Sequence, residues 1–238
     1  MRPSLIPEGQ LAMHWLDPDH LPETSGHLDR FLLNPHGDVD GMILTDGTEV
    51  HVPPHLSDAM CATVHPGDAI RVRGVRPRAA DMIAAVAIET ADGTRIVDNG
   101  PPVHHKKKKP IPEHIANAGR HPMQADGIVQ RVLHGPKGEV RRALLEDGRI
   151  VRWPPHETDA IAGLLVPGST LAIRGEGLVT GFGTVIEVQE IGASAATARA
   201  INDKKPGKSK KPEKGEKPKK PSHDNAQEPA HEQGDTVD

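Results

Sequence analysis

Aromatic residues are almost missing from this chain, whose 238 residues include two Trp, two Phe and no Tyr. A hydrophobic core must therefore be built from Val, Ile, Leu, Met and Ala. The single cysteine, Cys61, excludes an intramolecular disulfide and a zinc site made of cysteines. It lies in a run typical of an amphipathic helix, where a small buried hydrophobic side chain is its expected role.

Long apolar runs and catalytic motifs are missing as well. No window approaches the roughly 18 apolar residues of a membrane span, and residues 1–20 lack the apolar segment of a signal peptide. This predicts a cytoplasmic protein without membrane contact. The chain has no GxSxG, no P-loop, no HExxH and no GxGxxG after a predicted strand. We therefore expect no enzymatic activity, no cofactor and no metal site.

Excess charge of one sign is absent, because the formal net charge is only -4. The basic surface typical of a dedicated nucleic-acid-binding domain is therefore not expected over the whole chain. Lysines are concentrated in Lys106–Lys109 and in the range 204–220. Such segments contact phosphate backbones without sequence specificity, or serve only solubility and spacing.

An internal repeat organises the rest of the chain. Residues 26–74 align without a gap on residues 127–175, with 19 identities in 49 positions. The shared signatures are LxDGxxV, PPHxxDA, PG and RG. Two copies are too few for a solenoid, so the repeat predicts a duplicated globular module. Each module has about 65 residues, near the lower limit for an independent core.

Each copy shows three strands, a short helix and two further strands, with an Asp-Gly hairpin signal between strands two and three. In the first copy these are Leu28–Leu33, Val39–Leu44, Glu49–Val52, a helix from the predicted N-cap Ser57 to about Val64, Ala69–Gly74 and Met82–Thr90, with a short sixth strand at Thr94–Val97. In the second they are Ile128–Leu133, Val140–Leu145, Ile150–Trp153, a helix over 158–165 with Thr158 as its cap, Thr170–Gly175 and Thr184–Ile191.

This element order is that of an OB-fold, a five-stranded Greek-key barrel. The runs PGDAIRVRG and PGSTLAIRG resemble the fourth strand of many OB domains, and LLNPHGDVDGMILTDGTEVHVPPH is similar to bacterial OB-like proteins without an assigned role. The resemblance implies an all-β protein with one short helix per module and two tandem OB-like barrels. An SH3-like barrel is the alternative, which the helix between strands three and four disfavours.

The expected domain organisation follows from the repeat and from composition. It comprises an irregular leader (1–25), a first barrel (26–100), a basic Pro-rich linker (101–125) with one helical turn at 113–118, a second barrel (126–193) and a disordered Lys/Pro-rich tail (194–238).

Five polar positions are shared by the copies: Arg30 and Arg131, Asp46 and Asp147, His55 and His156, Asp58 and Asp159, and Arg73 and Arg174. The aspartates have sufficient structural roles in a turn and at a helix start, which leaves the arginines and histidines as candidate functional residues. The arginines are expected on solvated strand faces. Each histidine follows Pro-Pro before a helix, where it could meet an anion or simply pack at the helix entry. Metal binding through histidines is a lesser alternative. It would involve His51 beside His55, His104 with His105, and His114 with His121, but these residues show no metal-site spacing.

OB modules bind through strands two and three and the loops after strands one and four. If Val50 and Val52 point inward, the outward residues of the first copy are Asp40, Met42, Glu49 and His51, a set that repels phosphate. The matching residues of the second copy are Arg141, Ala143, Ile150 and Arg152. Phe182 lies between two glycines, where it could stack on a base, worth ~1–3 kcal/mol, or close the barrel end.

The sequence therefore predicts a non-catalytic protein that binds single-stranded DNA or RNA with little sequence specificity. The candidate residues are Lys137, Arg141, Arg142, Arg149, Arg152, Arg174 and Phe182. The alternative is a protein-interaction module that recruits a partner through the acidic first barrel or the tail. Salt dependence separates the two, since only phosphate contacts weaken steeply with ionic strength.

Overall fold

The structure, a computed structural model, describes residues 16–100 and 119–201. The first copy contains β1 (Glu23–Leu33), β2 (Val39–Leu44), β3 (Glu49–His51), α1 (Ser57–Thr63), β4 (Ala69–Val75), β5 (Met82–Thr90) and β6 (Arg95–Val97). The second contains β7 (His121–His134), β8 (Val140–Leu145), β9 (Ile150–Arg152), α2 (Thr158–Ile161), β10 (Thr170–Thr180), β11 (Gly183–Gly192) and β12 (Arg199–Ala200).

Both copies close into five-stranded barrels. In the first barrel the strand order is β3-β2-β1-β4-β5, and β3 pairs in parallel with β5 to close the circle. In the second barrel β9 pairs in parallel with β11, and β10 pairs with both β7 and β11. The predicted tandem OB-like fold is confirmed.

A glycine that the repeat shares makes the sharp bend of the fourth strand possible. A Cβ atom on Gly74 would lie 2.2 Å from the carbonyl oxygen of Ala84, and one on Gly175 would lie 2.0 Å from that of Glu187. At both positions the register with the fifth strand shifts by a β-bulge. The glycine of the RG signature is therefore required because the backbones of the fourth and fifth strands approach closely there.

The two helix-start hydroxyls do not cap their helices, because a 3-10 turn precedes each helix. The Ser57 hydroxyl accepts the backbone N–H of Val39 at 2.8 Å. The Thr158 hydroxyl donates to the carbonyl oxygen of Val140 at 2.8 Å. These positions are equivalent in the repeat, so each hydroxyl fastens its helix to the start of the second strand. Helix α2 is shorter than predicted and continues as a 3-10 turn from Ala162.

The barrels extend beyond the predicted module boundaries. Strand β1 begins inside the predicted leader and β7 inside the predicted linker, because the first half of each pairs with the fourth strand of its barrel. Strand β12 lies in the predicted tail and pairs with the end of β11. The helical turn predicted at 113–118, the four-lysine run and residues 202–238 lie outside the described residues.

The predicted inward and outward sets need a correction on the second strand of each barrel. Leu32 pairs with Gly41 and Leu33 with Val39, so Asp40 is an extra, bulged residue. The same shift occurs one repeat later at Arg141. Each bulge changes the phase of the side-chain alternation. Met42 and Ala143 therefore point into the barrels, and both are fully buried.

Candidate nucleic-acid interface

The faces that OB modules usually offer to a ligand pack against each other in this protein. We call the contact between the outward faces of β2–β3 and β8–β9 the seam. Leu133, Leu144, Ile150 and Val185 of the second barrel belong to one continuous buried cluster with the core of the first. Burying four such side chains is worth on the order of 10 kcal/mol, as much as the whole stability of a typical domain. The seam is therefore a permanent contact.

Equivalent arginines of the two copies reach across the seam in opposite directions. Arg131 Nη1 donates to the carbonyl oxygen of Gly47 in the Asp-Gly turn of the first barrel, at 2.6 Å. Arg30 Nη1 lies 3.4 Å from the place of a Cβ atom on Gly148, in the Asp-Gly turn of the second. The barrels are thus related by an approximate twofold axis. These shared arginines contact the other barrel and do not lie on a free solvated face.

Two of the predicted ligand-binding arginines are buried in the seam. Arg142 is 1 % exposed, and its Nη1 lies 2.5 Å from Asp40 Oδ1. Arg152 is 5 % exposed, lies 3.4 Å from the other oxygen of Asp40 and donates to the carbonyl oxygen of Leu33. Both side chains are closed to a ligand in this arrangement.

Burial lowers the pKa of Arg152 to about 10, although the charge of Asp40 acts in the opposite direction. The guanidinium therefore stays protonated at neutral pH. Burial also lowers the pKa of His51, the equivalent residue of the first barrel, against the opposing charges of Asp40 and Glu49. His51 is thus held neutral in a contact whose other charges are paired.

Glu49 is a buried carboxylate of the first barrel that holds a histidine of the second. It is 1 % exposed and accepts both the backbone N–H of His134, at 2.8 Å, and its ring Nδ1, at 2.9 Å. Arg142 Nη2 lies 3.9 Å from the same carboxylate. The imidazole of His134 is therefore fixed in orientation at the border of the seam.

At one end of the seam the β4–β5 loop of the first barrel (76–81) meets the β7–β8 loop of the second (135–139). A Cβ atom on Gly138, whose φ is 81°, would lie 2.9 Å from Ala79 Cβ. We call this end, with its cationic side chains, the basic edge; those side chains are Arg76, Arg78, Arg131, His134, Lys137 and Arg141. Four carboxylates lie among them: Asp46 in the neighbouring turn, Glu49 at 2.9 Å from His134, Asp81 at 2.9 Å from Arg76 and Glu139 at 3.6 Å from Arg141.

A cleft of about 490 Å³ opens at the basic edge between the two barrels. Its walls include Asp46, Arg76, Asp81, Arg131, His134 and Pro167. A second pocket of about 260 Å³ adjoins it on the approximate axis and contains Arg30 and Arg131 above Ile43 and Leu144. Arg131 and Gly47 border both cavities. We call the two neighbouring cavities together the seam groove.

The opposite end of the seam is apolar. Gly37 in the β1–β2 loop presses against Leu178, since a Cβ atom there would lie 2.8 Å from its Cδ2. The ring of Phe182 is 45 % exposed and packs edge-to-face on Phe31 of the first barrel, with centroids 5.5 Å apart. Arg120 joins Glu187 at 2.8 Å and donates to the carbonyl oxygen of Pro35. Phe182 therefore belongs to a barrel–barrel contact at this apolar edge, whereas Lys137 belongs to the basic edge.

The remaining predicted residues lie in ion pairs on other surfaces. Arg149 pairs with Asp147 and donates to the carbonyl oxygen of Asp126. Arg174 pairs with Glu190 at 3.2 Å, and Arg73 pairs with Glu23 at 2.6 Å. The structure thus collects Lys137 and Arg141 at the basic edge and leaves Arg149 and Arg174 outside it.

The shared histidines lie in the turns that precede the helices, and each turn carries a charge pair. His55 Nε2 lies 2.8 Å from Asp98. His156 occupies the equivalent position, and its neighbour Glu157 lies 3.3 Å from Arg199. These pairs join the short sixth strand of each barrel to the turn before the helix.

Within residues 16–100 and 119–201, no group of three or more His, Cys, Asp or Glu is placed to hold a metal ion. His104, His105 and His114 lie outside the described ranges. No helix in the described part of the chain is long and apolar enough to cross a membrane.

The chain is a tandem OB-like protein by its strand order and barrel closure. Among solved structures it is similar to the single-stranded DNA binding protein from Thermus aquaticus. A deletion mutant of that protein shows 14% identity and a TM-score of 0.23, over 79% of this chain and 96% of that one. The wild type shows 14% and 0.24, over 79% and 94%. No protein-family model and no curated protein matches the chain. Matches this weak carry no information about a ligand.

Proposed function

We propose that this protein is a non-catalytic binding protein that holds single-stranded nucleic acid, with little sequence specificity, along the seam groove and the basic edge. The buried faces of β2–β3 and β8–β9 take no part in this binding. Arg76, Arg78, Arg131, Lys137 and Arg141 would contact phosphates.

One observation carries the proposal: loops of the two types that OB modules use for binding converge at the basic edge. The β4–β5 loop comes from the first barrel and the β7–β8 loop from the second, so a single composite site replaces two separate ones. Residues 16–100 contain 14 carboxylates against six arginines, whereas residues 119–201 contain nine of each charge. Phosphate attraction is therefore local to the basic edge and not a property of the whole surface.

The test is a fluorescence-anisotropy titration with labelled single-stranded DNA and RNA, using the full chain and a chain ending at residue 201. Affinity should fall steeply between roughly 50 and 200 mM salt, because each phosphate contact releases condensed counterions. Neutralising Arg76 and Lys137 together (Arg76→Gln, Lys137→Gln) should weaken binding several-fold.

The matched control neutralises Arg71 and Arg174, two exposed strand arginines outside the seam groove (Arg71→Gln, Arg174→Gln). Their side chains are 49 % and 48 % exposed, similar to the 52 % of Arg76, and the change in net charge is identical. Equal losses in the two double variants would show that charge alone matters and would contradict a site at the basic edge. Binding that disappears only on removing 202–238 would assign it to the tail.

A second candidate function is recognition of a protein partner by the first barrel or the apolar edge. The acidic excess of residues 16–100 favours it, together with the exposure of Val179 and Phe182 at 57 % and 45 %. Binding that persists at high salt and does not respond to the basic-edge variants would favour this function.

A further inference from the structure

Because of the approximate twofold axis, each residue at the basic edge can be compared with its repeat equivalent at the apolar edge. His134 and Glu49 meet at the basic edge, while their repeat equivalents are Leu33 and Ile150, both buried in the shared core. The donors to the two backbone carbonyls differ: that of His134 accepts from Arg142 of its own barrel at 3.2 Å, and that of Leu33 accepts from Arg152 across the seam at 3.2 Å. An apolar pair fills this position at the apolar edge, so the repeat itself does not require a buried carboxylate holding a histidine there.

The Glu49–His134 pair lies beside the larger of the two cavities of the seam groove, which His134 lines. Glu49 engages Nδ1 of the ring, so Nε2 is the nitrogen left for a ligand in the cleft that His134 lines. Arg131 of the second barrel and Arg76 of the first line the same cleft. A carboxylate that binds one ring nitrogen of a histidine commonly fixes the ring so that the other nitrogen faces a bound group.

We propose that His134, Arg131 and Arg76 form a subsite for a phosphate monoester, which takes the terminal phosphate of a nucleic-acid strand lying in the seam groove. This inference rests on the proposed function and names the part of the ligand that the cleft prefers. A monoester carries close to two charges and three acceptor oxygens at neutral pH, whereas an internal diester carries one charge. The guanidinium groups of Arg131 and Arg76 supply donors from the two barrels, and His134 Nε2 adds a third donor when the ring carries both protons.

Two carboxylates, Asp46 and Asp81, also line the cleft. Asp46 accepts the backbone N–H of Thr48 at 2.8 Å. Asp81 pairs with Arg76 at 2.9 Å, but its side chain is 96 % exposed, and an exposed pair of this kind contributes little. A phosphate can therefore displace Asp81 from Arg76 without breaking a buried contact.

The experiment compares one oligonucleotide of fixed sequence with a 5′-phosphate, a 3′-phosphate or hydroxyls at both ends, bound to the full chain at constant salt. The label is attached in mid-strand. We expect a terminal phosphate at one end to increase affinity roughly five- to tenfold, the size of one or two charge-assisted hydrogen bonds. Equal affinities for all three oligonucleotides, with binding intact, would overturn the subsite and leave the proposed function standing.

The decisive variant copies the opposite edge: Glu49→Ile with His134→Leu installs the pair that Ile150 and Leu33 provide there. It removes a buried carboxylate 3.9 Å from Arg142, so we expect a lower melting temperature. The folded variant should keep its affinity for the hydroxyl-ended strand and lose the preference for a phosphate end. Arg76→Gln should reduce the preference, and Arg71→Gln should not. A preference that survives in the double variant would overturn the role of His134.

Inorganic phosphate alone, titrated into the full chain and followed by NMR of the His134 ring, separates the two proposals. Saturable shifts in the wild type, weakened by Arg76→Gln and unchanged by Arg71→Gln, would support the subsite even if no oligonucleotide binds, in which case the proposed function fails by itself. Absence of such shifts, together with equal oligonucleotide affinities, would remove the subsite.

Discussion

The two barrels share a backbone plan but carry opposite charges on the faces that meet. The first barrel presents Asp40 and Glu49 and the second presents Arg142 and Arg152, and nearly all of this charge is buried. Buried ion pairs add little net stability, because desolvation consumes most of the attraction. The aliphatic residues around them stabilise the contact, while the charges specify which two faces meet. Divergence of the copies has thus turned two potential ligand faces into one internal contact.

The largest loss of stability should come from removing an acidic residue of the seam, which leaves the buried arginines without their partner. Asp40→Leu removes the carboxylate that both buried arginines share, and we expect a loss of about 3–5 kcal/mol in unfolding free energy, measured by urea denaturation. Asp40→Leu combined with Arg142→Leu should cost less than the sum of the single changes. If the losses of the single variants simply add in the double variant, Asp40 and Arg142 are not energetically coupled. The opposite charges of the two faces would then not account for their contact.

A smaller effect should distinguish the two arginines that cross the seam. Arg131→Gln removes a charged donor from the Gly47 carbonyl and should cost about 1–2 kcal/mol. Arg30→Gln should cost less, since the hydrogen bond of Arg30 is to its exposed neighbour Asp29 at 2.7 Å. Thermal unfolding of both variants checks the order. Equal losses of stability in the two variants would show that Arg30 and Arg131 make equivalent contacts across the twofold axis.

Phe182 tests whether the apolar edge takes part in ligand binding. Phe182→Ala loses the edge-to-face contact with Phe31 and should reduce stability by about 1 kcal/mol. The affinity for single-stranded DNA should change less than twofold, well below the ~1–3 kcal/mol of a stacked base. A tenfold loss of affinity would restore Phe182 as a stacking residue and place ligand on both edges.

The smallest effect concerns pH and contrasts His51 with Arg152, its counterpart in the second barrel. Burial lowers the pKa of His51 in the folded state, so the unfolded chain binds its proton first as pH falls. The stability from neutral His51 is therefore complete above the ordinary value of about 6.5 and declines as pH falls through that value. His51→Gln should reduce the loss of unfolding free energy between pH 7 and 5 by less than ~1 kcal/mol. An unchanged slope would exclude His51 as the group responsible.

Much of the fold was predictable because its local signals are chemical and occur twice. The Asp-Gly turns, the Pro-Gly breaks and the inward aliphatics located eleven of the twelve strands in the described residues, all but β12. Strands β1 and β7 were predicted too short because their first halves pair only with the fourth strand, a long-range contact with no local pattern. The bulges at Asp40 and Arg141 shifted the alternation by one residue, which misplaced Met42 and Ala143.

The site was less predictable, since it depends on how the two barrels meet. The outward charges of each copy could be inferred, but nothing local indicates that Asp40 would neutralise Arg142 and Arg152. One signal was present in the alignment: Glu49 and His51 of the first copy stand against Ile150 and Arg152 of the second, a pattern of complementary divergence. Arg76 and His134 were missed because neither position is shared between the copies.

The hydrophobic continuity of the seam has a consequence for any attempt to divide the protein. Cutting the peptide chain between residues 101 and 118 should give two fragments that remain bound to each other, in the manner of a split reporter. Either fragment produced alone would present an aliphatic surface to water and should precipitate or associate with itself. Mixing the two during refolding should return a soluble heterodimer, and its yield would report directly how well one half recognises the other.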